Sequence, residues 1–160
     1  MQDARILQIN VSNGGVPKRP VDEARVEELG ITTDVQRNKK YHGGPQQALL
    51  LIASESIDAL AKRGFAVYYG ALGENVTTAG LDHRAWRAGQ RYRLGEEVVI
   101  ELTKLRQPCR QLDPFGPGIQ KELYDPQAKK GDPQSVCWAA GGFYCRIVSP
   151  GTIRPGDRVV

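Results

Sequence analysis

Glu97-Val-Val-Ile-Glu-Leu102 is the most strand-like run of the chain. Its Val and Ile side chains pack well on a pleated surface, so the run predicts a β-strand. The segment Lys104-Leu-Arg-Gln-Pro-Cys-Arg-Gln-Leu-Asp113 follows it. Pro108 is expected to end the strand, because proline has no N–H to donate to a neighbouring strand. Cys109 is therefore predicted at a strand-to-loop corner, where functional side chains tend to be accessible.

Further strand-like runs lie on both sides of this stretch. The predicted strands are Arg5 to Val11, Ala48 to Ala53, Phe143 to Val148 and Asp157 to Val160. In the first run, alternation puts Leu7, Ile9 and Val11 on one buried face. Ala48 to Ala53 is unbroken apolar sequence, which predicts a strand buried on both faces. In the third run Cys145 faces the core, and Arg146 points to the opposite face.

Helical patterns are short. Ser54 to Arg63 predicts a helix that Ser54 caps and Gly64 ends. Between Pro114 and Gly142 the periodicity is poor, and it allows one helical turn around Ile119 to Tyr124.

The segment from Pro20 to Gly30 is ambiguous. Its early proline, acidic residues and trailing glycine favour a helix locally. The same residues allow a strand with Ala24 and Val26 inward and with Arg25 and Glu27 outward.

Composition limits the fold class. The 160 residues fit one domain, residues 1–160. Eighteen glycines and ten prolines indicate frequent chain reversals. With the strand-like runs, they predict a mainly β protein, a closed or nearly closed β-barrel with one or a few short helices.

Composition also excludes several functional classes. Neither a signal peptide nor a membrane-spanning run is visible, so a cytoplasmic location without membrane contact is expected. The net charge of +4 is modest and the aromatic residues are scattered, which makes nucleic acid an improbable partner. Three cysteines without a CxxC pair argue against a disulfide framework and a structural zinc site.

Cys109 is the main candidate for chemistry. Lys104, Arg106 and Arg110 surround it in sequence, and positive charge favours the thiolate, which attacks electrophiles and binds soft metals. The alternative is an ordinary buried thiol. Cys137 and Cys145 stand in apolar contexts and are predicted to be structural.

Separated fragments carry a family resemblance. They are His42-Gly-Gly-Pro45, Gly73-Glu-Asn-Val-Thr77, Pro108-Cys109, Gly141-Gly-Phe-Tyr-Cys-Arg-Ile147 and Gly151-Thr-Ile-Arg-Pro-Gly-Asp157. In this order and spacing the chain resembles, from about Gly14 to Val160, the MOSC domain of molybdenum cofactor sulfurases and of small stand-alone bacterial proteins. Family members carry Gly-Asp where this chain has Thr33-Asp34. The resemblance also makes Glu23 to Glu28 a strand.

The resemblance implies a binding pocket around Cys109 for a molybdenum–pterin cofactor. In this interpretation Cys109 ligates molybdenum, and the implied cofactor-binding residues are Lys18, His42, Gly43, Gly44, Asn75 and Arg146. The residues alone leave other interpretations open. His42 and Asn75 could belong to tight turns that bond their own backbone, and Lys18 could be a solvated loop residue.

Three functions compete at this point. The first is reduction of N-hydroxylated or related small molecules by a cofactor-loaded domain, with electrons from a separate reductase. The second is a sulfur carrier in which Cys109 receives persulfide sulfur from a cysteine desulfurase for delivery to a metal centre. The third is a non-enzymatic basic β-barrel that binds a partner.

Overall fold

The computed structural model describes residues 3–35 and 43–160. The strands in these ranges are β1 (Arg5–Val11), β2 (Arg19–Val21), β3 (Ala24–Glu27), β4 (Gly30–Ile31), β5 (Leu49–Ala53), β6 (Val76–Ala79), β7 (Arg91–Leu94), β8 (Val98–Leu105), β9 (Phe143–Ser149) and β10 (Gly151–Ile153). The α-helices are α1 (Ser54–Lys62), α2 (Ile119–Leu123) and α3 (Pro126–Lys129). Short 3₁₀ segments cover Pro45–Gln47, His83–Ala85 and Arg110–Phe115. The predicted mainly β content with few short helices is confirmed.

The strands form two sheets. A seven-stranded sheet has the order β2-β1-β6-β5-β9-β8-β7, and a three-stranded sheet has the order β10-β3-β4. Only β5 and β6 pair in parallel among the strand pairs of the described residues, and α1 lies in the connection between them. In the same residues no ladder closes the large sheet on itself. Closure into a barrel therefore stays a prediction.

The C-terminal residues link the two ends of the large sheet without forming the predicted strand. The Ile6 amide donates to the Asp157 carbonyl over 2.8 Å, and the Arg93 amide donates to the Val160 carbonyl over 2.9 Å. These bonds accompany isolated bridges to β1 and β7. The predicted closing strand from Asp157 to Val160 is reduced to these isolated bridges, through which the segment pairs with β1 on one side and with β7 on the other.

Strand β5 explains why the chain needs an unbroken apolar run. Leu49, Leu51 and Ala53 belong to the core cluster between the sheets, whereas Leu50 and Ile52 belong to a second cluster that includes α1 and α2. All five residues are buried, as predicted. Burying a leucine side chain stabilises a fold by about 1.5–3 kcal/mol, so β5 is a major source of stability.

The predicted face of β1 is partly wrong. Ile6 and Ile9 are fully buried, while Leu7 and Val11 are only half-buried. The register against β6 shifts between Ile6 and Gln8, which breaks strict alternation. A single extra residue in one strand turns the following side chains to the other face.

The ambiguous segment after Pro20 is extended. Strand β3 buries Ala24 and Val26 and exposes Arg25 and Glu27, as the strand interpretation predicted. It pairs with β10 on one side and β4 on the other. These ladder hydrogen bonds and the buried face outweigh the local helix preference, so the helix interpretation is wrong.

The ends of α1 differ slightly from the prediction. The helix begins at Ser54, with Ala53 as the N-cap residue and no side-chain cap, so the predicted capping by Ser54 is wrong. The helix ends at Lys62 with Arg63 as the C-cap, and Gly64 follows with a φ of +94°. Ser54 is instead buried, since it follows directly on the buried strand β5.

Strand β8 is longer than predicted and brings the chain to the site. It extends to Leu105, three residues beyond Leu102, and the chain then passes Pro108 and Cys109 into the segment Arg110–Phe115. Helix α2 matches the predicted turn, while α3 lacks a predicted counterpart. No helix of the described ranges is long and apolar enough to cross a membrane.

Candidate functional site

Cys109 lies where two cavities meet. The larger is an open cleft of about 1020 Å³, and the smaller has about 70 Å³. Gln47, Cys109, Gln111 and Tyr144 line both. The thiol is half-buried, as expected for a corner residue that follows Pro108. Cys109 is therefore accessible from the cleft and is also part of the wall of the small cavity.

The small cavity brings distant segments of the chain together. Its lining includes Lys18, Gly43, Asn75 and Cys109. These residues come from the loop before β2, the loop before β5, the start of β6 and the end of β8. The structure thus places four of the implied site residues around one cavity. Their roles toward a ligand stay predictions.

An ion pair fixes Lys18 in the wall of this cavity. Its Nζ contacts Oδ2 of Asp34, and the two side chains are only 10% and 2% exposed. The same Oδ2 accepts a 2.9 Å hydrogen bond from Nδ2 of Asn75, and Oδ1 accepts from the Ser12 amide. Asp34 was not predicted as a site residue, although Thr33-Asp34 was noted as a departure from the family. It neutralises Lys18 and holds it beside Asn75.

Asn75 is saturated by the protein. Its Oδ1 accepts from the Leu50 amide over 3.0 Å, and its Nδ2 donates to Asp34 and to the Asn10 carbonyl. An amide has two hydrogens to donate, and both are used here. Asn75 therefore fixes the position of β5 and of Asp34. It is not simply a turn residue that bonds its own backbone.

Arg106 is a buried cation with spare hydrogen-bonding capacity. It lines the small cavity and is 5% exposed. Its Nη2 donates to the Leu72 carbonyl over 2.8 Å, whereas its buried Nη1 has no partner among the described residues. A buried guanidinium nitrogen without an acceptor is costly, so it points to a missing anion or polar group.

Glu74 is a second buried ionisable group near this wall. Its Oε2 accepts hydrogen bonds from the Gly70 amide and from Oγ1 of Thr77, both over 3.0 Å. Burial raises the pKa of Glu74 above its ordinary value, although these bonds and the charge of Arg106 act in the opposite direction. The residue stabilises the Gly73-Glu-Asn75 loop, since it ties Gly70 to the start of β6.

Tyr144 forms part of the wall between the two cavities. It is half-buried, and Nζ of Lys104 lies 5.8 Å from the centre of its ring. Burial raises the pKa of Tyr144, the charge of Arg106 lowers it, and a charge on Cys109 raises it. The phenol is therefore neutral at physiological pH and can donate a hydrogen bond beside Cys109.

The large cleft has a different character from the small cavity. Its charged lining residues are Arg87, Lys104, Arg110 and Lys129, and its lining has no carboxylate. The rest is mainly apolar or aromatic, and includes Leu105, Tyr124, Pro133 and Trp138. Lys104 and Arg110 flank Cys109 in the sequence, whereas Arg87 and Lys129 come from distant segments. Only the first two were therefore visible as a cluster before folding.

Arg146 is a correction to the predicted pocket. It does not line either cavity among the described residues. Its Nε and Nη2 donate to Glu101 over 2.8 and 3.2 Å, and Glu101 is its partner across the β8–β9 ladder. Because Cys145 faces the core as predicted, Arg146 points outward, where Glu101 is the nearest anion. Hydrogen bonds from Arg146 and Arg91 lower the pKa of Glu101 to about 2.

The two glycines before β5 share a left-handed backbone. Gly43 and Gly44 have φ values of +84° and +86°, a conformation in which other residues are strained. Gly43 lines the small cavity, whereas Gly44 does not appear in its lining. His42, the neighbouring candidate, lies outside the described residues.

The other two thiols are buried, as predicted for structural cysteines. Cys137 is 8% exposed and Cys145 is fully buried. Burial raises the pKa of both thiols. Within residues 3–35 and 43–160, no group of three or more His, Cys, Asp or Glu side chains could hold a metal ion.

Comparison with known proteins identifies the family. Residues 38–160 match the MOSC domain. This chain belongs to the MOSC domain family. The match covers most of the chain, in agreement with the resemblance seen in the separated fragments. It includes Gly43, Gly44, Asn75 and Cys109 but begins after Lys18 and Asp34.

The relatives of this MOSC domain are longer proteins. YflK of Bacillus subtilis is 30% identical over 147 residues, which are 89% of this chain and 60% of YflK. YiiM of Escherichia coli is 34% identical over 103 residues, 61% of this chain and 46% of YiiM. A Gibberella moniliformis protein named Reductase is 28% identical over 90 residues, 56% of this chain and 14% of that protein.

A solved structure supports the fold. YiiM from Geobacillus stearothermophilus superposes with a TM-score of 0.67 at 26% identity, and the match covers 98% of this chain and 74% of that one. This MOSC domain thus has a three-dimensional relative along almost its whole length.

Proposed function

We propose that this MOSC domain holds a molybdenum–pterin cofactor, with Cys109 as the protein ligand of the metal. We further propose that it reduces N-hydroxylated or related small molecules with electrons from a separate reductase. The observation that carries the proposal is the position of Cys109, whose half-buried thiol lies between a small basic cavity and a large open cleft. The small cavity has room only for the anionic end of such a cofactor, and the open cleft gives space for the rest of it and access for a substrate.

The chemistry of the donor set fits such a cofactor. A thiolate is a soft ligand, which suits a soft metal centre. The buried Nη1 of Arg106 lacks an acceptor among the described residues, and an oxygen of a bound phosphate or pterin would satisfy it. Lys18 adds further N–H donors, since an ammonium has three and Asp34 uses one.

The roles follow from these positions. Cys109 would bind the metal, and Lys18, Arg106 and the backbone near Gly43 and Gly44 would hold the phosphate and pterin. Asp34 and Asn75 position Lys18 and the cavity wall. The predicted contributions of His42 and Arg146 are not needed in this arrangement. Arg146 has its own anionic partner, and His42 keeps its role as a prediction.

The bound cofactor supplies two-electron redox chemistry at the metal. Reduction of a hydroxylamine consumes two electrons and two protons, and it releases an amine and water as the N–O bond breaks. Tyr144 is suited to a role beside this reaction, because its neutral hydroxyl keeps its proton and can donate to a polar substrate group. In this proposal the electrons come from a separate donor protein.

The names of the relatives support a reductive role. One relative is named Reductase, and this chain matches 14% of its length. A domain that is a small part of a longer reductase is consistent with electrons that arrive from elsewhere. For the present protein, a separate electron donor is part of the proposal.

A sulfur carrier is the second candidate. It is favoured by one observation, the accessibility of the Cys109 thiol from a wide cleft. The thiolate would attack the terminal sulfur of a desulfurase persulfide, which leaves a persulfide on Cys109 and a thiolate on the donor. A small metal-bearing acceptor could then enter the cleft.

The test separates these functions and the basic binding module. The protein, Cys109→Ser and Cys137→Ser are produced in a host that makes the cofactor, and molybdenum content, pterin fluorescence and intact mass are measured. We expect molybdenum and pterin in the wild type and in Cys137→Ser, and loss of both in Cys109→Ser with unchanged far-ultraviolet circular dichroism. Sulfur added to Cys109 without molybdenum would favour the carrier. Equal molybdenum and pterin in all three proteins would refute Cys109 as the metal ligand. Absence of molybdenum, pterin and added sulfur from the wild type would refute both chemistries and leave a binding module.

A further inference from the structure

We propose that the large cleft binds an organic anion, so that the substrate of this site is a small molecule with a carboxylate or phosphate group. This inference rests on the proposed function, because it names the substrate class of the same site. The observation behind it is the charge of the lining, which has Arg87, Lys104, Arg110 and Lys129 and no Asp or Glu.

The four cations are unpaired as well as numerous. Across the described residues, none of them forms an ion pair with a carboxylate. Some cations elsewhere have such partners, as in the pair of Arg146 and Glu101, while others of the described residues, such as Arg93 and Lys130, do not. What distinguishes the cleft is that its unpaired cations share one concave surface. A concave surface of one sign concentrates the field and attracts the opposite charge. The cleft is therefore an electrostatic site for an anion.

Two of the cations have defined positions. Nη1 of Arg87 donates to the carbonyls of Arg84 and Trp86 over 2.8 and 2.9 Å, and its guanidinium lies 5.4 Å from the centre of the Trp138 ring. Lys104 lies over the Tyr144 ring. Side chains that are held before the ligand arrives lose less entropy on binding. These contacts orient positive charge toward the cleft without neutralising it.

The size and the apolar lining indicate an organic body. Ligand pockets typically have about 300–1000 Å³, and the cleft is at the upper end of this range. Leu105, Tyr124 and Pro133 offer carbon surface between the cations. An inorganic anion alone would leave this surface unused. A body of one or two rings with an anionic group matches both parts of the lining.

The cleft also orients its ligand. Arg110 follows Cys109 directly, whereas Arg87 and Lys129 belong to other segments of the wall. An anionic group that binds Arg87 or Lys129 leaves the opposite end of the molecule free to approach Cys109. The cleft would thus select the substrate through a group that does not react.

The experiment uses a pair of probes that differ only in charge. The ligands are para-aminobenzoate and its neutral amide, para-aminobenzamide, and binding to the full chain is measured by calorimetry at low and high salt. We expect the carboxylate to bind roughly fivefold or more tightly than the amide, because one charge–charge contact in a partly aqueous site has this effect. The preference is expected to shrink at high salt.

Variants locate the effect. Lys104→Gln/Arg110→Gln is expected to abolish the preference for the carboxylate. A second comparison avoids the neighbourhood of Cys109: Lys129→Gln is expected to weaken the preference, whereas Lys130→Gln has the same change of net charge, lies outside the lining, and is expected to keep it. Equal affinity for both probes, or an unchanged preference in all variants, would overturn the proposal.

Kinetics distinguish this inference from the function on which it rests. The cofactor-loaded protein is given para-hydroxylaminobenzoate or para-hydroxylaminobenzamide with a chemical reductant as the electron source. Faster reduction of the carboxylate at low concentration supports both proposals. Preferential binding without reduction of either probe supports the anion site and contradicts the reductase. Equal reduction of the two probes supports the reductase and contradicts the anion site.

Discussion

The small cavity and the large cleft share the Cys109 thiol but treat charge in opposite ways. In the small cavity Lys18 is buried with Asp34, and Asn75 bonds the same carboxylate. In the cleft the cations are exposed and have no carboxylate beside them in the lining. Burial explains the difference, because a buried charge without a partner is strongly destabilising, whereas a solvated charge is not. A resident ligand would thus meet a wall in which Lys18 is already paired, while buried Nη1 of Arg106 lacks an acceptor among the described residues. An exchangeable ligand would meet a wall whose charges remain available.

The largest effect is expected from breaking the paired side. Asp34→Asn keeps the shape of the side chain but leaves Lys18 buried without an opposite charge, and we expect the free energy of unfolding to fall by about 3 kcal/mol. Urea denaturation of the full chain measures this loss. On the unpaired side, Lys104→Gln removes no partner, so its effect is expected within about 0.5 kcal/mol. Similar losses in the two variants would contradict the distinction between the cavities.

Thiol reactivity tests the position of Cys109 at the boundary. A neutral alkylating reagent in excess is expected to modify Cys109 of the native protein before Cys137 and Cys145, because it is the most exposed of the three. Raised pKa values at the two buried thiols slow them further. Peptide mass spectrometry over time identifies the modified site, and Cys109→Ser serves as the control. Faster labelling of either buried cysteine would place the accessible thiol elsewhere.

The smallest effect on stability is expected from Glu101, which pairs with Arg146 and Arg91 outside both cavities. The pKa of Glu101 is lowered to about 2, so its contribution to stability is present above its ordinary value of 4.5 and is lost as the pH falls from there toward 2. Glu101→Gln removes this contribution at every pH. Thermal melting of both proteins from neutral to acidic pH is expected to show a small gap that closes on acidification. A difference in melting temperature that widened on acidification would contradict the lowered pKa of Glu101.

Much of the fold was predictable because its signals are local. The apolar run of β5, the alternation of β9 and the glycine after α1 each act over a few residues. The helix signals in β3 failed because pairing with β4 and β10 decided the outcome, and β10 is more than a hundred residues away in sequence. The register shift in β1 likewise depends on β6. Such features arise from pairing, which a local pattern does not contain.

The site divides in the same way. Pro108-Cys109 was visible because proline ends a strand and a thiol is rare. Asp34 was missed because its importance lies in contacts with Ser12, Lys18 and Asn75, which only folding brings together. Arg146 was assigned to the pocket from the family resemblance, with strand alternation in support, but it pairs with its cross-strand neighbour Glu101. Half of the cationic cleft was visible, as Lys104 and Arg110 around Cys109, but Arg87 and Lys129 join them only in the folded chain.

The bonds of Asn75 have a consequence for measurement. Oδ1 of Asn75 accepts a hydrogen bond from the Leu50 backbone amide. The backbone amide of Asn75 donates to the Leu50 carbonyl over 2.9 Å. Leu50 belongs to the strand whose two faces supply both hydrophobic clusters. A ligand that tightens the small cavity would therefore slow hydrogen–deuterium exchange at Leu50, deep in the sheet. The exchange rate of the Leu50 amide proton therefore reports whether the small cavity is occupied. The Leu50 side chain itself lines that cavity.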